Sequence, residues 1–363
     1  MRAPRWLEIE RRPSPSPWVV FGISLLAIAA AFVVAGIFFQ AYGVSPIRAY
    51  GDIIHGALGS RLGITETIRR AIPLLVIGVG LTIAFRALFW NIGAEGQLLI
   101  GAVVATGIAL FVPLPGWLLL PAMFLGGFIG GALWGVVPAA LKAKLGINDV
   151  ITTLMMNYIA IYIVDWLIHG PWKGPTMRGF AYTDRFPAAG ILPTIAGTRI
   201  HWPTLVIGLV AAVLAFVLIK RTRAGFEIRV VGENPRAAQY SGISQLKTIL
   251  WAMILSGGLA GVAGVGEVAG IHHMLLGPSN VALSYGYTAI IVAWLARRNP
   301  LAVVLTAFLF GVLMRGGDVI KVTLGLPFQL VNVFNGLILF FLIGSEALMR
   351  YRIRIRVRRE EAA

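Results

Sequence analysis

Runs of about twenty apolar residues recur along this chain, and no other feature limits its fold so tightly. A helix needs about 20 such residues to cross the roughly 30 Å hydrocarbon layer of a bilayer. Inside lipid, only helices and closed barrels satisfy every backbone hydrogen bond. Ten segments qualify as candidates: Trp18–Ala41, Ala71–Leu88, Gly93–Val112, Gly116–Leu141, Val150–Ile168, Pro203–Ile219, Ile249–Ile271, Tyr285–Leu295, Leu301–Met314 and Phe328–Leu348. The eighth and ninth are short enough to be broken or re-entrant, and Asn299-Pro300 between them interrupts a helix. The expected fold is all-α, a polytopic membrane bundle of about ten helices. Composition agrees: 58% of the residues are hydrophobic and 13% charged, against about 45–50% and about 25% in soluble domains.

The net charge of +16 would suggest nucleic-acid binding in a soluble protein. In a membrane chain, arginines and lysines mark the cytoplasmic side. With both termini inside, about two-thirds of the 31 lysines and arginines fall on inner segments. The expected layout is a cytoplasmic segment 1–17, a membrane domain 18–348, an extracytoplasmic loop 170–202, a cytoplasmic loop 220–247 and a basic cytoplasmic tail 349–363. The first apolar run is too long for a signal-peptide core, so it reads as an uncleaved span. The chain contains no cysteine, which removes disulfides and thiolate chemistry.

Against this apolar background, polar side chains mark candidate sites, since each costs about 2.5–3.5 kcal/mol at a bilayer centre. The heptapeptide 91–97 carries Asn91, Glu95 and Gln97 among glycines. It reads either as a helix cap near the surface or as an element lining a pathway. Thr153 and Asn157 lie one turn apart on one helix face, suited to bonding between helices or to lining a pathway, with Tyr158 beside them. Glu267 sits deep in an apolar run, as a solute contact, a proton site or a member of an ion pair with an arginine such as Arg315. His272-His273 lacks the companions a metal site needs. Arg315 and Asp318 read as an interfacial pair. Gly126/Gly130, Gly127/Gly131, Gly131/Gly135 and Gly257/Gly261 have the spacing that lets helix backbones approach, here inside the bundle. In the inner loop, Asn234-Pro235 starts a short helix and Gly242 ends it, exposing the small residues Ala237 and Ala238. No phosphate-binding loop of the G-x-x-x-x-G-K-[ST] type occurs, and no hydrolase signature. The chain is expected to be no enzyme, to use no cofactor and to bind no nucleic acid.

Asn-Ile-Gly-Ala-Glu-Gly-Gln at 91–97 runs on into Leu98–Ala102, and Gly146–Asn157, Gly232–Ile243 and Ser256–Gly261 follow in order. This series resembles the permease subunits of ABC importers for nucleosides, simple sugars and branched-chain amino acids, and is nearest to the nucleoside-type branch. The resemblance covers about residues 71–345. It implies a multi-pass protein of the plasma (inner) membrane working by alternating access. It also implies partners: a second permease subunit (often a paralogue), an ABC ATP-binding subunit that holds the ATP, and an extracytoplasmic substrate-binding lipoprotein. Gly232, Glu233, Asn234, Pro235, Ala237, Ala238 and Gly242 would form the coupling element, and Asn91, Glu95, Gln97, Asn157, Tyr158 and Glu267 would lie along the solute pathway. Simple sugars and branched-chain amino acids are alternative cargoes. A proton-coupled carrier using Glu95 or Glu267 is the competing mechanism.

Overall fold

A computed structural model describes residues 7–11, 17–176, 179–325 and 351–355, together with positions 333, 336, 337, 340, 341, 344 and 345. The described chain forms two units, Ile53–Val319 and the pair Met1–Asp52 with Ile320–Ala363. In the second of these, strand β1 (Leu7–Arg11) pairs antiparallel with β2 (Tyr351–Ile355), Leu7 opposite Ile355. This ribbon adds a two-stranded β element to the expected all-helical architecture. It is followed by α1 (Pro17–Ala41), and α2 (Pro46–Leu58) runs on into the larger unit.

The remaining helices are α3 (Arg61–Arg86), α4 (Ala94–Phe111), α5 (Gly116–Leu145), α6 (Asp149–His169), α7 (Trp202–Arg221), α8 (Arg223–Glu233), α9 (Pro235–Tyr240), α10 (Gln245–Glu267), α11 (Pro278–Ala282), α12 (Tyr285–Leu295) and α13 (Pro300–Thr323). Seven helices are long and apolar enough to cross a membrane: α3 to α7, α10 with its π-helical extension to His272, and α13. The pair Ala29–Ala41 and Pro46–Leu58, bent by 110°, is either a broken span, which would make an eighth, or a re-entrant loop. The expected count of ten thus stands at seven or eight among the described residues. Tyr285–Leu295 is a helix of 11 residues, about 16 Å long at 1.5 Å per residue, too short to cross. Leu301–Met314 is instead part of a full-length span of 24 residues, with Asn299 Oδ1 accepting from Leu301 N–H at its start. Most of Phe328–Leu348 lies outside the described residues.

The core of the larger unit is a seam of helix backbones. A Cβ placed on Gly261 of α10 would collide with the Gly127 carbonyl of α5, and one on Gly131 with the Gly257 carbonyl. Gly101 of α4 meets Gly261 in the same way. Without side chains between them, α4, α5 and α10 pack by direct van der Waals contact, the mode expected where lipid supplies no hydrophobic drive. The spaced glycines therefore serve internal packing, as their sequence pattern suggests. α3 is the most enclosed of the membrane-length helices, with Ile72, Leu74, Val76, Ile77, Val79 and Leu81 all fully buried.

Candidate functional site

Two buried polar clusters and one exposed helix contain nearly all the polar residues singled out above. The first cluster is built on the turn between α3 and α4. Leu88 takes a left-handed conformation (φ 55°) and breaks the helix. The chain then runs irregularly to Gly93, and α4 starts at Ala94. Such a break survives in a membrane only where protein satisfies the freed backbone, and here it does. The Trp90 N–H donates to Asp149 Oδ2 at 2.6 Å, while Lys142 Nζ bonds Asp149 and the Leu88 carbonyl, each at 2.6 Å. Asn148, not Asp149, caps α6, accepting from Val150 and Ile151 N–H.

Asn91 and Gln97 pair amide to amide: Asn91 Nδ2 donates to Gln97 Oε1 at 2.8 Å, and Gln97 Nε2 returns a bond to Asn91 Oδ1 at 3.0 Å. The second Asn91 hydrogen goes to Ser256 Oγ at 3.0 Å. From α6, Asn157 Oδ1 accepts from Gly96 N–H at 2.8 Å, and its Nδ2 donates to the Ile92 carbonyl and to Tyr287 Oη. Glu95 is 6% exposed and faces the N-terminus of α12. Its Oε2 accepts from Gly286 N–H at 2.6 Å, and the Ser284 and Tyr287 N–H groups turn to the same carboxylate. A carboxylate at orphan N–H groups at the positive end of a helix dipole is in a favourable place. Every polar side chain of the 91–97 turn is thereby engaged within the bundle. Tyr158 is not: it is 50% exposed on the outer face of α6, and Tyr287 of α12 supplies the phenol in the cluster.

The second cluster centres on Glu267, the last residue of α10, which is 0% exposed. Neither carboxylate oxygen has a hydrogen-bond partner. Its surroundings come from five other elements. His272 lies on the π-helical turn Val268–His272, with Nε2 at 4.0 Å. Arg69 and Arg70 of α3 and Arg199 of the loop before α7 are within electrostatic range. Arg69 is held by Glu66 at 2.8 Å, Arg199 stands 3.9 Å from Glu66, and Arg70 is held by Asp318 of α13 at 2.6 Å. Asp318 thus pairs with Arg70 across the bundle and not with its neighbour Arg315, and Glu267 faces α3 arginines in place of Arg315. Close by are His201 and Thr204 at the start of α7. A Cβ on Gly266 would stand 2.8 Å from Thr204 Cγ2, and one on Gly270 2.7 Å from the His201 ring. Burial, with Arg69 nearby, pushes the His201 imidazole down to about 4, so the ring is neutral at physiological pH. Tyr285 lies beside Arg70 and Glu267.

Buried polar groups are nearly always partnered, yet this cluster collects the exceptions. Both nitrogens of His201, Thr204 Oγ1, His272 Nε2, Arg70 Nε and Nη1 and both Glu267 oxygens are buried without a hydrogen bond of good geometry, and Tyr285 Oη has the Arg70 side chain beside it but no well-aligned bond. Among the described residues no group of three or more His, Cys, Asp or Glu is arranged to hold a metal ion. Sequence reasoning found Glu267 because a lone carboxylate stands out in an apolar run. It missed His201, Thr204 and Tyr285, which lie at the ends of such runs, where polar residues are ordinary.

The exposed helix is α9. Asn234 caps it, accepting from Arg236 and Ala237 N–H at 3.1 Å each, and Pro235 holds the first position. Gly242 follows its end with φ +74°. The sequence signals for start and stop both operate. Two placements differ from expectation. Ala238 is fully buried, so the exposed surface is Pro235, Arg236, Ala237, Gln239 and Tyr240, the last 94% exposed. An unforeseen helix, α8, precedes α9, and Gly232 within it packs directly on the Arg86 carbonyl of α3. Arg86 Nε in turn donates to the Arg298 carbonyl at 2.9 Å, in the left-handed turn that closes α12.

The described chain is a multi-pass helical bundle with a glycine-packed core and a capped, exposed helix between spans. Residues 63–343 match the family described as branched-chain amino acid transport system / permease component, and the chain belongs to that family. It is 36% identical to the glucose ABC transporter permease protein TsgB13 of Haloferax volcanii over 96% of this chain and 94% of that protein. It is 33% identical to the nucleoside ABC transporter permease protein NupB of Lactococcus lactis, over 88% of this chain and 90% of the relative. Identity to the guanosine ABC transporter permease protein NupP of Bacillus subtilis is 31%, over 90% and 94% respectively. The chain is thus an ABC-type permease subunit.

Proposed function

We propose that this permease forms the membrane pathway of an ATP-driven importer for nucleosides or related hydroxyl-rich solutes. The observation that carries the reading is the nearly full-length similarity to permeases named for nucleosides, guanosine and glucose, cargoes that share a polyhydroxylated ring. ATP is bound and hydrolysed by a separate subunit, which accounts for the missing phosphate-binding loop. A second permease, paralogous or identical, completes the pathway, and an extracytoplasmic binding lipoprotein delivers the solute. The chain resides in the plasma membrane with both termini, the 220–247 loop and the basic tail on the cytoplasmic side, and 170–202 outside.

In this reading α9 docks on the ATP-binding subunit through Arg236, Ala237, Gln239 and Tyr240, while Gly232, Asn234 and Ala238 hold it in place. Asn91, Gln97 and Asn157 spend their hydrogen bonds inside the bundle, and Glu95 caps α12. These four act as the frame of the pathway, and Glu267 is the pathway carboxylate. Alternating access follows from a two-state shift of packed helices driven from the coupling loop.

The test is reconstitution of the permease pair with the ATP-binding subunit and the binding protein in vesicles. Nucleoside uptake is expected with ATP and not with an imposed proton gradient; uptake on the gradient alone makes the chain a secondary carrier. Ala237→Trp is expected to lower ATP-driven uptake at least tenfold while leaving membrane insertion and basal ATP hydrolysis intact. Normal uptake by that variant removes α9 from the docking surface.

A further inference from the structure

We propose that Glu267, His201, Thr204 and Tyr285 form a binding site for vicinal hydroxyl groups of an uncharged solute: the ribose of a nucleoside or the ring of a free sugar. The proposal rests on the importer reading above and names the part of the solute that this chain itself recognises.

The atoms argue for hydroxyls in particular. A hydroxyl both donates and accepts. The two Glu267 oxygens are acceptors without donors, and Arg70 Nε and Nη1 are donors without acceptors. Thr204 Oγ1, Tyr285 Oη and the neutral His201 ring can serve in either sense. Adjacent hydroxyls on a ring supply what each lacks, with one pair donating to the two oxygens of a single carboxylate. All four proposed side chains are at least nine-tenths buried, so a ligand there competes with little water. Charge points to a neutral ligand. Arg69, Arg70 and Arg199 stand against Glu66, Asp318 and Glu267, three guanidiniums to three carboxylates. An anion or a cation would upset that balance; a sugar ring leaves it unchanged.

Local structure places these groups together. Gly266 and Gly270 flank Glu267 and let His201 and Thr204 lie directly on the α10 backbone. Between Glu267 and His272 the helix widens into a π turn, a distortion often found at functional sites. Tyr285 opens α12, whose first turn Glu95 fixes, so the saturated cluster sets the position of one wall of the unsaturated one.

The experiment uses the full-length permease in lipid nanodiscs and saturation-transfer NMR with uridine, 2′,3′-dideoxyuridine, glucose and leucine as probes. Uridine and glucose are expected to receive saturation at their hydroxyl-bearing ring positions. Dideoxyuridine is expected to bind about tenfold more weakly and leucine not detectably, since a lost pair of bonds to a charged group is worth about tenfold or more. Glu267→Gln and the isosteric Thr204→Val are each expected to bring uridine down toward dideoxyuridine, with unchanged binding of dideoxyuridine showing that the variants are folded. Equal binding of uridine and dideoxyuridine, preference for leucine, or wild-type uridine affinity in both variants overturns the site. Uridine binding without glucose binding restricts the ligand to the nucleoside ribose; the reverse restricts it to the free sugar. ATP-driven uptake by the assembled importer is measured alongside. Uptake without hydroxyl-dependent binding sinks this site and leaves the importer reading standing. No uptake in the presence of hydroxyl-dependent binding sinks the importer reading and leaves the site.

Discussion

Glu95 and Glu267 are both carboxylates buried among apolar helices, and the protein treats them in opposite ways. Glu95 meets backbone N–H groups at the start of α12. Glu267 has arginines in range and no hydrogen bond. A satisfied buried polar network rigidifies a fold, whereas unpaired buried groups each cost about 1–3 kcal/mol. The first arrangement makes structure; the second leaves hydrogen-bonding capacity unused at the expense of stability. Burial and residue type alone do not separate the two; the count of unmet hydrogen bonds does.

The largest expected effect tests the frame. Glu95→Leu leaves the α12 N-terminus without its cap and is expected to cost about 3 kcal/mol or more, seen as a lower thermal midpoint of the purified permease. Next comes Asn157→Leu, which removes three hydrogen bonds between α6, the 91–97 turn and Tyr287. It is expected to cost about 2–4 kcal/mol, measured the same way. At Glu267 the expected cost is smaller, about 1–2 kcal/mol for Glu267→Gln: no hydrogen bond is lost, but Arg69, Arg70 and Arg199 lose a counter-charge. If Glu267→Gln destabilises more than Glu95→Leu, the comparison fails. The smallest effect belongs to Tyr158→Ala on the exposed face of α6, expected within about 0.5 kcal/mol of wild type by thermal unfolding of the single chain.

What could be read from the sequence depended on how far the relevant partners lie along the chain. The α9 cap and stop were legible because Asn234, Pro235 and Gly242 act within a few residues of their own backbone. The long spans were legible because hydropathy is a local sum. Tyr158 adjoins Asn157 in sequence, but adjacent residues on a helix face different ways, and the phenol at Asn157 comes from Tyr287, 130 positions on. The Arg315–Asp318 pairing failed for a related reason. Three residues apart on a helix, they could have met, but Asp318 is taken by Arg70 across 248 positions. The role of the 91–97 turn hung on Ser256, Asn157 and Gly286, none of which a local pattern identifies. His201 and Thr204 gave no signal, because at the mouth of a span polarity is commonplace.

The short helix α12 also has a mechanical consequence. At one end, its closing turn accepts a hydrogen bond from Arg86, the residue on whose carbonyl Gly232 of α8 rests. At the other, Glu95 grips its first N–H groups and Tyr285 looks toward Glu267. Eleven residues of helix, about 16 Å long, make a stiff rod with both ends pinned. A push on α8 need not bend a full span to be felt deep in the bundle. It has only to shift a strut that holds one of the buried carboxylates and stands within electrostatic range of the other.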